Sequence, residues 1–295
     1  MYIEILLTSL LMQESTAGLR SQWPEDYQLR ALGPLAKLKT LDLSHTRITD
    51  IGFRDLRGAE NVERVNLYYA ENVGDGALVV MKNWRQLREV NLRGTKVTDL
   101  GVAQLSEHPN VESIDVGFSL FTDNGLEALT TMPKLKRLTC GGNKLTDTGL
   151  SALRLMTGLT ALDISGEQRT DSGLWSATLT DRGLDSVASL VNLEELNVRG
   201  AKLTSAGTGP LAKLTKLRVL HLSQTGLGAA GLMPLAKLLA LRELYLWKCE
   251  RVNDEAVALL GRLRTLEFLD IEGTGITAAG RASLQQALPG TRINY

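Results

Sequence analysis

The chain has 295 residues with 33 Lys+Arg against 33 Asp+Glu, so its formal net charge is zero. That balance excludes the basic surplus a nucleic-acid binder needs, and 43% hydrophobic with 22% charged residues excludes a disordered chain. No run of about 20 apolar residues exists to span a bilayer, and 2 cysteines do not make a disulfide framework.

Residues 1–26 place Ile3, Leu6, Leu7, Leu10 and Leu11 at helical spacing. They read as a helix capping the units that follow or as a leader remnant; Glu4 and the lack of a basic start favour the cap. Trp23 and Tyr27 are expected to pack in that cap. Residues 27–37, through Leu29, Leu32 and Leu35, read as the helical half of an incomplete unit.

From Leu38 onward the phrase L-x-x-L-x-L recurs. Its first apolar residue is Leu38, Val62, Leu87, Val111, Leu135, Leu159, Leu193, Leu217, Leu241 and Leu266. The steps are 24 or 25 residues, except one of 34 between Leu159 and Leu193. The second position runs from Leu41 and Val65 to Leu269, the third from Leu43 and Leu67 to Ile271. Alternation of this kind is strand periodicity, and an apolar row on so short a strand needs a stacked copy to bury it. A second phrase follows, as in Thr49-Asp50-Ile51-Gly52 and Thr98-Asp99-Leu100-Gly101, and then apolar residues return at helical spacing (Leu126, Leu129). Each unit is predicted as strand, turn, capped helix, turn. Asp50, Asp99, Asp123, Asp147 and Asp181 are assigned to the starts of their own helices. The glycine is assigned to close packing of the helix start against the strands.

The ninth position is Thr46, Ala70, Thr95, Ser119, Asn143, Glu167, Ala201, Thr225, Cys249 and Thr274. It is expected to satisfy the backbone of the turn, with Ala70 and Ala201 as breaks. The long step holds a near copy, Thr170-Asp171-Ser172-Gly173-Leu174 before Thr180-Asp181-Arg182-Gly183-Leu184. Residues 167–178 therefore read as a loop inserted between strand and helix and carrying Trp175. It is either a binding loop or a duplication folded back on the array. Residues 290–295 start a further unit, with Ile293 in the second and Tyr295 in the third apolar place.

Taken whole, the phrase L-x-x-L-x-L-S-x-T-x-I-T-D-x-G-L-x-x-L resembles the cysteine-containing, GALA-like (ribonuclease-inhibitor-like) branch of leucine-rich repeats. That branch includes many bacterial repeat proteins and the repeat portion of F-box substrate receptors. The resemblance runs from about residue 27 to the end. It implies an α/β fold: a horseshoe solenoid with a parallel β-sheet on the concave face and helices on the convex face, as one domain over residues 27–295. It also implies a scaffold whose function lies in its variable face. The 26 residues before the repeats are too few for an F-box-like segment, so a ubiquitin-linked role is not carried over.

No catalytic constellation stands out, so the chain reads as non-enzymatic, without cofactor or metal. His45, His108 and His221 fall in separate units. Cys140 replaces a strand leucine and Cys249 a turn residue about four units away, roughly 19 Å by strand spacing and beyond disulfide reach. Two buried free thiols favour the cytoplasm; a truncated start would instead suit a secreted or envelope protein.

Residues flanking the strand leucines face solvent. Two clusters of large amphipathic side chains emerge there. One is Tyr68 and Tyr69 beside Arg93, with Phe118 further along; the other is Tyr245 and Trp247 beside Arg199, His221, Arg218, Arg242 and Lys248. Such residues dominate binding energy at interfaces. With Trp175 they are predicted to hold a protein or peptide partner on a monomeric scaffold. The competing reading is surface stacking that stiffens the sheet. Alternatives for the whole chain are a structural spacer, a piece of a larger surface protein, or a carbohydrate binder using Tyr245 and Trp247. Glu63, Glu89, Glu195, Glu243 and Glu267 alternate with the basic residues, which is not a nucleic-acid stripe.

Overall fold

The structure is a computed structural model that describes residues 16–18, 25–32, 34–170 and 173–295. The expected cap helix from Ile3 to Leu11, and Trp23, lie outside the described residues. The contacts of the chain fall into two compact units, residues 1–143 and 144–295. Both are built from the same α/β leucine-rich repeat.

In the first unit, strands β1 (Thr16–Gly18), β2 (Thr40–Asp42), β3 (Arg64–Asn66), β4 (Glu89–Asn91), β5 (Ser113–Asp115) and β6 (Arg137–Thr139) pair in parallel in chain order. Leu41, Val65, Val90, Ile114 and Leu138 register on one another at the strand centres, and all are buried. The third apolar position, Leu43, Leu67, Leu92, Val116 and Cys140, is buried too. Strand β1 was not expected. Ala17 pairs with Leu41, so Ala17 stands where later repeats have their second leucine, and no L-x-x-L-x-L phrase marks it. Among the described residues the parallel sheet thus includes a strand ahead of the first L-x-x-L-x-L phrase. Tyr27 is 63% exposed and does not pack as expected.

The return path of each repeat is helical and short. The first unit has α-helices at Asp50–Phe53, Asp75–Met81, Asp99–Leu105 and Asp123–Leu129. Thr49 and Thr98 cap them, their hydroxyls accepting the N–H of Ile51 and Leu100.

The aspartates do something other than the predicted capping of their own helices. The Asp26 carboxylate accepts the N–H and hydroxyl of Thr49, one repeat on. Asp75 does the same to Thr98 and Asp99 to Thr122. Asp50 accepts the N–H groups of Gly74, Gly76 and Ala77. Each carboxylate thus meets the positive end of the next repeat's helix. The glycine of the phrase is also explained differently. A methyl on Gly52, Gly101 or Gly125 would overlap the carboxylate of Asp26, Asp75 or Asp99. The T-D-x-G phrase is therefore a clasp between neighbouring repeats, and its glycine is the space that the preceding aspartate fills.

In the second unit, β7 (Ala161–Asp163), β10 (Glu195–Asn197), β11 (Val219–His221), β12 (Glu243–Tyr245), β13 (Phe268–Asp270) and β14 (Arg292–Asn294) pair in parallel. The predicted final strand is present, with Ile293 on Leu269. Tyr295 does not enter the core: it is 43% exposed, and its hydroxyl bonds Gln285. The same clasp joins Asp147 to Thr180, Asp181 to Thr204 and Asp254 to Thr277. Where the aspartate is Ser205, its hydroxyl takes only the Gly228 N–H. The expectation of an α-helix in every repeat fails here. Gly149–Leu155, Gly209–Lys213 and Ala229–Lys237 are 3-10 helices. Pro234 sits inside the last of these, and proline lacks the N–H that the interior of an α-helix uses.

The insertion is a β-hairpin, β8 (Glu167–Thr170) against β9 (Gly173–Ser176), antiparallel. It leaves the array after Gly166 and rejoins it so that Thr178 donates its N–H to the Leu145 carbonyl. Leu120 does the same to Val97 one residue after the turn residue Ser119. Ala177, not Glu167, is therefore the ninth residue of its repeat, and the turn column has three alanines rather than two. The rest of that column is structural as predicted. Thr46, Thr95, Ser119, Thr225 and Thr274 donate to the carbonyl three residues back. Asn143 bonds the carbonyls of Val116 and Cys140, and Cys249 that of Leu222. At Ala70 and Ala201 the backbone N–H makes the bond instead.

Candidate functional site

From β2 to β13 the strands of the parallel sheet bury their central side chain and, except at Ala161 of β7, present the flanking two. The last strand residue is Asp or Asn in most repeats, and its role is local. The side-chain oxygens of Asp42, Asn66, Asn91, Asp115, Asp163, Asn197 and Asp270 accept the N–H two residues on. This is the Asx closure that secures a backbone donor after the sheet pairing has ended. Most of the polar column on the strand face is thus committed to the fold. His221 and Tyr245 give that closure up in two consecutive repeats.

In its place their rings stack at 3.8 Å and 10°. Tyr245 also meets Phe268 at 5.1 Å, and Arg292 lies over Phe268 at 4.6 Å. The Tyr245 hydroxyl donates to Glu243 at 2.7 Å. Burial, and then this hydrogen bond, push the phenol up to about 12. Burial chiefly lowers His221, with the Arg199 charge adding to it, so the imidazole stays neutral against Tyr245. Two residues on, Trp247 carries the Arg199 guanidinium at 4.9 Å and the Lys248 ammonium at 4.3 Å from its ring centre. Arg199 is steadied by Gln224 at 2.7 Å.

The predicted second cluster is therefore assembled from Arg199, His221, Tyr245, Trp247 and Lys248, without Arg242. Arg242 bonds Glu267 at 3.4 Å and the Thr265 carbonyl at the opposite end of its strand. Pairs of the same kind join neighbouring repeats of residues 1–143, as in Lys39–Glu63, Arg64–Glu89 and Arg88–Glu112. Phe268, Arg292 and Gln224 were missed. Phe268 stands at the first residue of its strand, and strand alternation puts it on the same face as Tyr245, which was a usable signal.

In the first unit, Tyr68 and Tyr69 meet at 4.7 Å, and His45 joins them, edge-on to Tyr68 and parallel to Tyr69. Arg93 does not side with the tyrosines. It lies over Phe118 at 4.4 Å and against Asp115 at 3.9 Å. His45, Tyr69, Phe118, Gln224 and Lys248 all have positive φ, as do Gly94, Gly142, Gly200 and Gly273 at the same place in their repeats. That place prefers glycine. Tyr69 rests where a side chain on Gly94 would sit, and Phe118 does so over Gly142. The aromatic residues of this column thus pack across the next repeat, which favours the stiffening reading for the first cluster.

Trp175 is half-buried, with its indole N–H buried and without a partner; Leu174 beside it is 59% exposed. No ring contact joins Trp175 to Trp247 among the described residues. Cys140 and Cys249 are both buried, and no disulfide joins them. Among the described residues no group of acidic, His or Cys side chains is placed to hold a metal. Nor is any helix there long and apolar enough to cross a membrane.

Comparison with known proteins gives the fold family. A leucine-rich-repeat family model matches residues 35–56 and 213–236. No curated protein matches the chain. Among solved structures, an internalin from Listeria monocytogenes superposes with a TM-score of 0.68 at 22% identity, over 90% of this chain and 68% of the internalin. A TDR receptor superposes at 0.54 and 16% identity, over 88% of this chain and 47% of the receptor. Both are similar in fold.

Proposed function

We propose that this leucine-rich-repeat protein is a non-enzymatic scaffold that holds a protein or peptide on the strand face of residues 144–295, with Tyr245, Trp247 and Arg199 as anchors. One observation carries the reading. Where most other repeats close their strands with Asp or Asn, two consecutive repeats place a stacked His221–Tyr245 pair beside a half-buried Trp247. A fold-preserving residue has been replaced by residue types that supply binding energy at interfaces. Repeat arrays present such extended surfaces, and leucine-rich-repeat proteins in general use them for protein partners. The T-D-x-G-L phrase supports placing the chain in the GALA-like branch, and its two buried cysteines suit a reducing cytoplasm. Balanced charge suits a monomer.

The test is capture of partners by the wild-type protein and by a Tyr245→Ala/Trp247→Ala variant whose circular dichroism matches it. A protein held by the first and lost by the second places the interaction on this face. Equal capture by both removes the face from the function. Capture by neither leaves the array a spacer.

A further inference from the structure

The hydrogen bonding of this face is lopsided. Its carboxylates are engaged. Asp163 accepts from the Ser165 N–H and the Asn197 amide. Asp270 accepts from the Glu272 N–H and the Asn294 amide. Glu243 holds the Tyr245 hydroxyl, and Glu272 takes the Asn294 amide as well. The cations are not so engaged. Among the described residues neither Arg199 nor Lys248 has a carboxylate partner. Arg199 makes one bond, from Nε to the neutral Gln224 oxygen, which leaves its terminal nitrogens free to donate. Lys248 makes none with its ammonium, yet it is drawn onto Trp247 from a backbone at φ 53°. Arg64, Arg88, Arg93 and Arg242 of the strand layer are each met by an acid, while Arg292 lies over Phe268.

We propose that Arg199 and Lys248, both held against Trp247, form a clamp for a carboxylate, so that the occupant of this face is an acidic segment of a protein partner. The inference rests on the scaffold reading above and adds the partner's chemistry. With its carbon 4.9 Å from the Trp247 ring centre and only its Nε bonded, the Arg199 guanidinium has its terminal nitrogens left to donate to a carboxylate. A polyphosphate chain would meet Asp163, Glu243, Asp270 and Glu272 along with the two cations, and the face lacks the basic surplus to hold it. A single carboxylate set between Arg199 and Lys248 complements these two cations and can keep clear of the four carboxylates.

The experiment pans a random dodecapeptide library displayed on phage against the intact protein and titrates the selected peptides with labelled synthetic copies. Three proteins are compared: wild type, Arg199→Gln/Lys248→Gln and Tyr245→Ala/Trp247→Ala, each checked by circular dichroism. The expected result is enrichment in Asp and Glu. Binding should weaken at least tenfold in the charge variant, and in wild type as salt rises from 50 to 500 mM. Peptides that lack acidic residues, or that bind the charge variant unchanged while the aromatic variant loses them, overturn the clamp and leave the scaffold reading standing. Peptides that bind all three proteins alike, or a library that gives none, overturn both.

Discussion

At the scale of single residues the T-D-x-G clasp is the feature that most changes how the sequence should be understood. Asp75 and Gly101 look like neighbours of their own helices, yet they complete one another across repeats. The carboxylate occupies the space beside Gly101 and holds the Thr98 N–H and hydroxyl at 2.8 and 2.6 Å. Gly101→Ala therefore overpacks the clasp, at a cost of about 1–3 kcal/mol. Asp75→Ala strips the Thr98 donors of their acceptor, at about 1–3 kcal/mol. The combined variant should cost clearly less than the sum, because the new methyl enters the space the carboxylate has left. Urea denaturation of the four proteins measures this coupling; additive losses would mean that the two residues act independently. Nothing in a single repeat reveals the arrangement. The carboxylate and the glycine it needs are 26 residues apart, and a Thr-Asp pair reads first as a local cap.

At the scale of elements, the strands were legible because three buried apolar positions repeat with a strand's period, and parallel stacking leaves that period no other use. Strand β1 was illegible for the same reason: Ala17 pairs with Leu41 where later repeats carry a large apolar residue, and the phrase is broken. The helices were half legible: Gly149–Leu155, Gly209–Lys213 and Ala229–Lys237 take 3-10 geometry, while the glycine-bearing Asp99–Leu105 and Asp123–Leu129 are α-helical. The site was legible in its residue types and wrong in one of them. Arg242 lies near Tyr245 in sequence but at the other end of the strand, where Glu267 meets it. The hairpin is the element most separable from the rest. It enters after Gly166 and leaves before Ala177, so deleting residues 167–176 joins Ile164-Ser165-Gly166 directly to Ala177-Thr178-Leu179. This matches Leu43-Ser44-His45-Thr46-Arg47-Ile48 position for position. The Thr178 N–H to Leu145 bond and the Asp147–Thr180 clasp need no hairpin residue. The deleted protein should fold with the far-ultraviolet spectrum of the parent and with a stability within about 1 kcal/mol of it, as surface insertions generally allow. A loss of several kcal/mol would show that Trp175 is a core residue of the array.

At the scale of the molecule, zero net charge means that no global repulsion acts near neutrality, so the response to acid depends on individual groups. Two histidines set its first phase. His108 is 1% exposed, and neither ring nitrogen makes a hydrogen bond of ordinary geometry. Burial, then the Arg85 charge, lower its affinity for a proton, opposed by Glu107 and the Trp84 carbonyl. His221 is lowered by burial against Tyr245 and by Arg199, opposed by Asp163, Glu243 and Asp270. In the unfolded chain both take up a proton near the ordinary histidine value of about 6.5. The folded state is then the one that binds fewer protons, so stability is fully present above that value and falls as pH drops below it. Each histidine contributes at most about 1.4 kcal/mol per pH unit to the slope. Urea midpoints of the wild-type protein should accordingly be level above pH 7 and decline between pH 6.5 and 5. The variant His108→Leu/His221→Asn should lose most of that decline, and the amide side chain introduced by its second substitution restores the Asp/Asn closure used by the neighbouring repeats. An unchanged slope in this variant would shift the acid response to the clasp carboxylates. Asp254, held below the usual carboxylate range by the Thr277 hydroxyl and N–H, releases its clasp only at still lower pH, so the two phases can be told apart by where on the pH axis stability is lost.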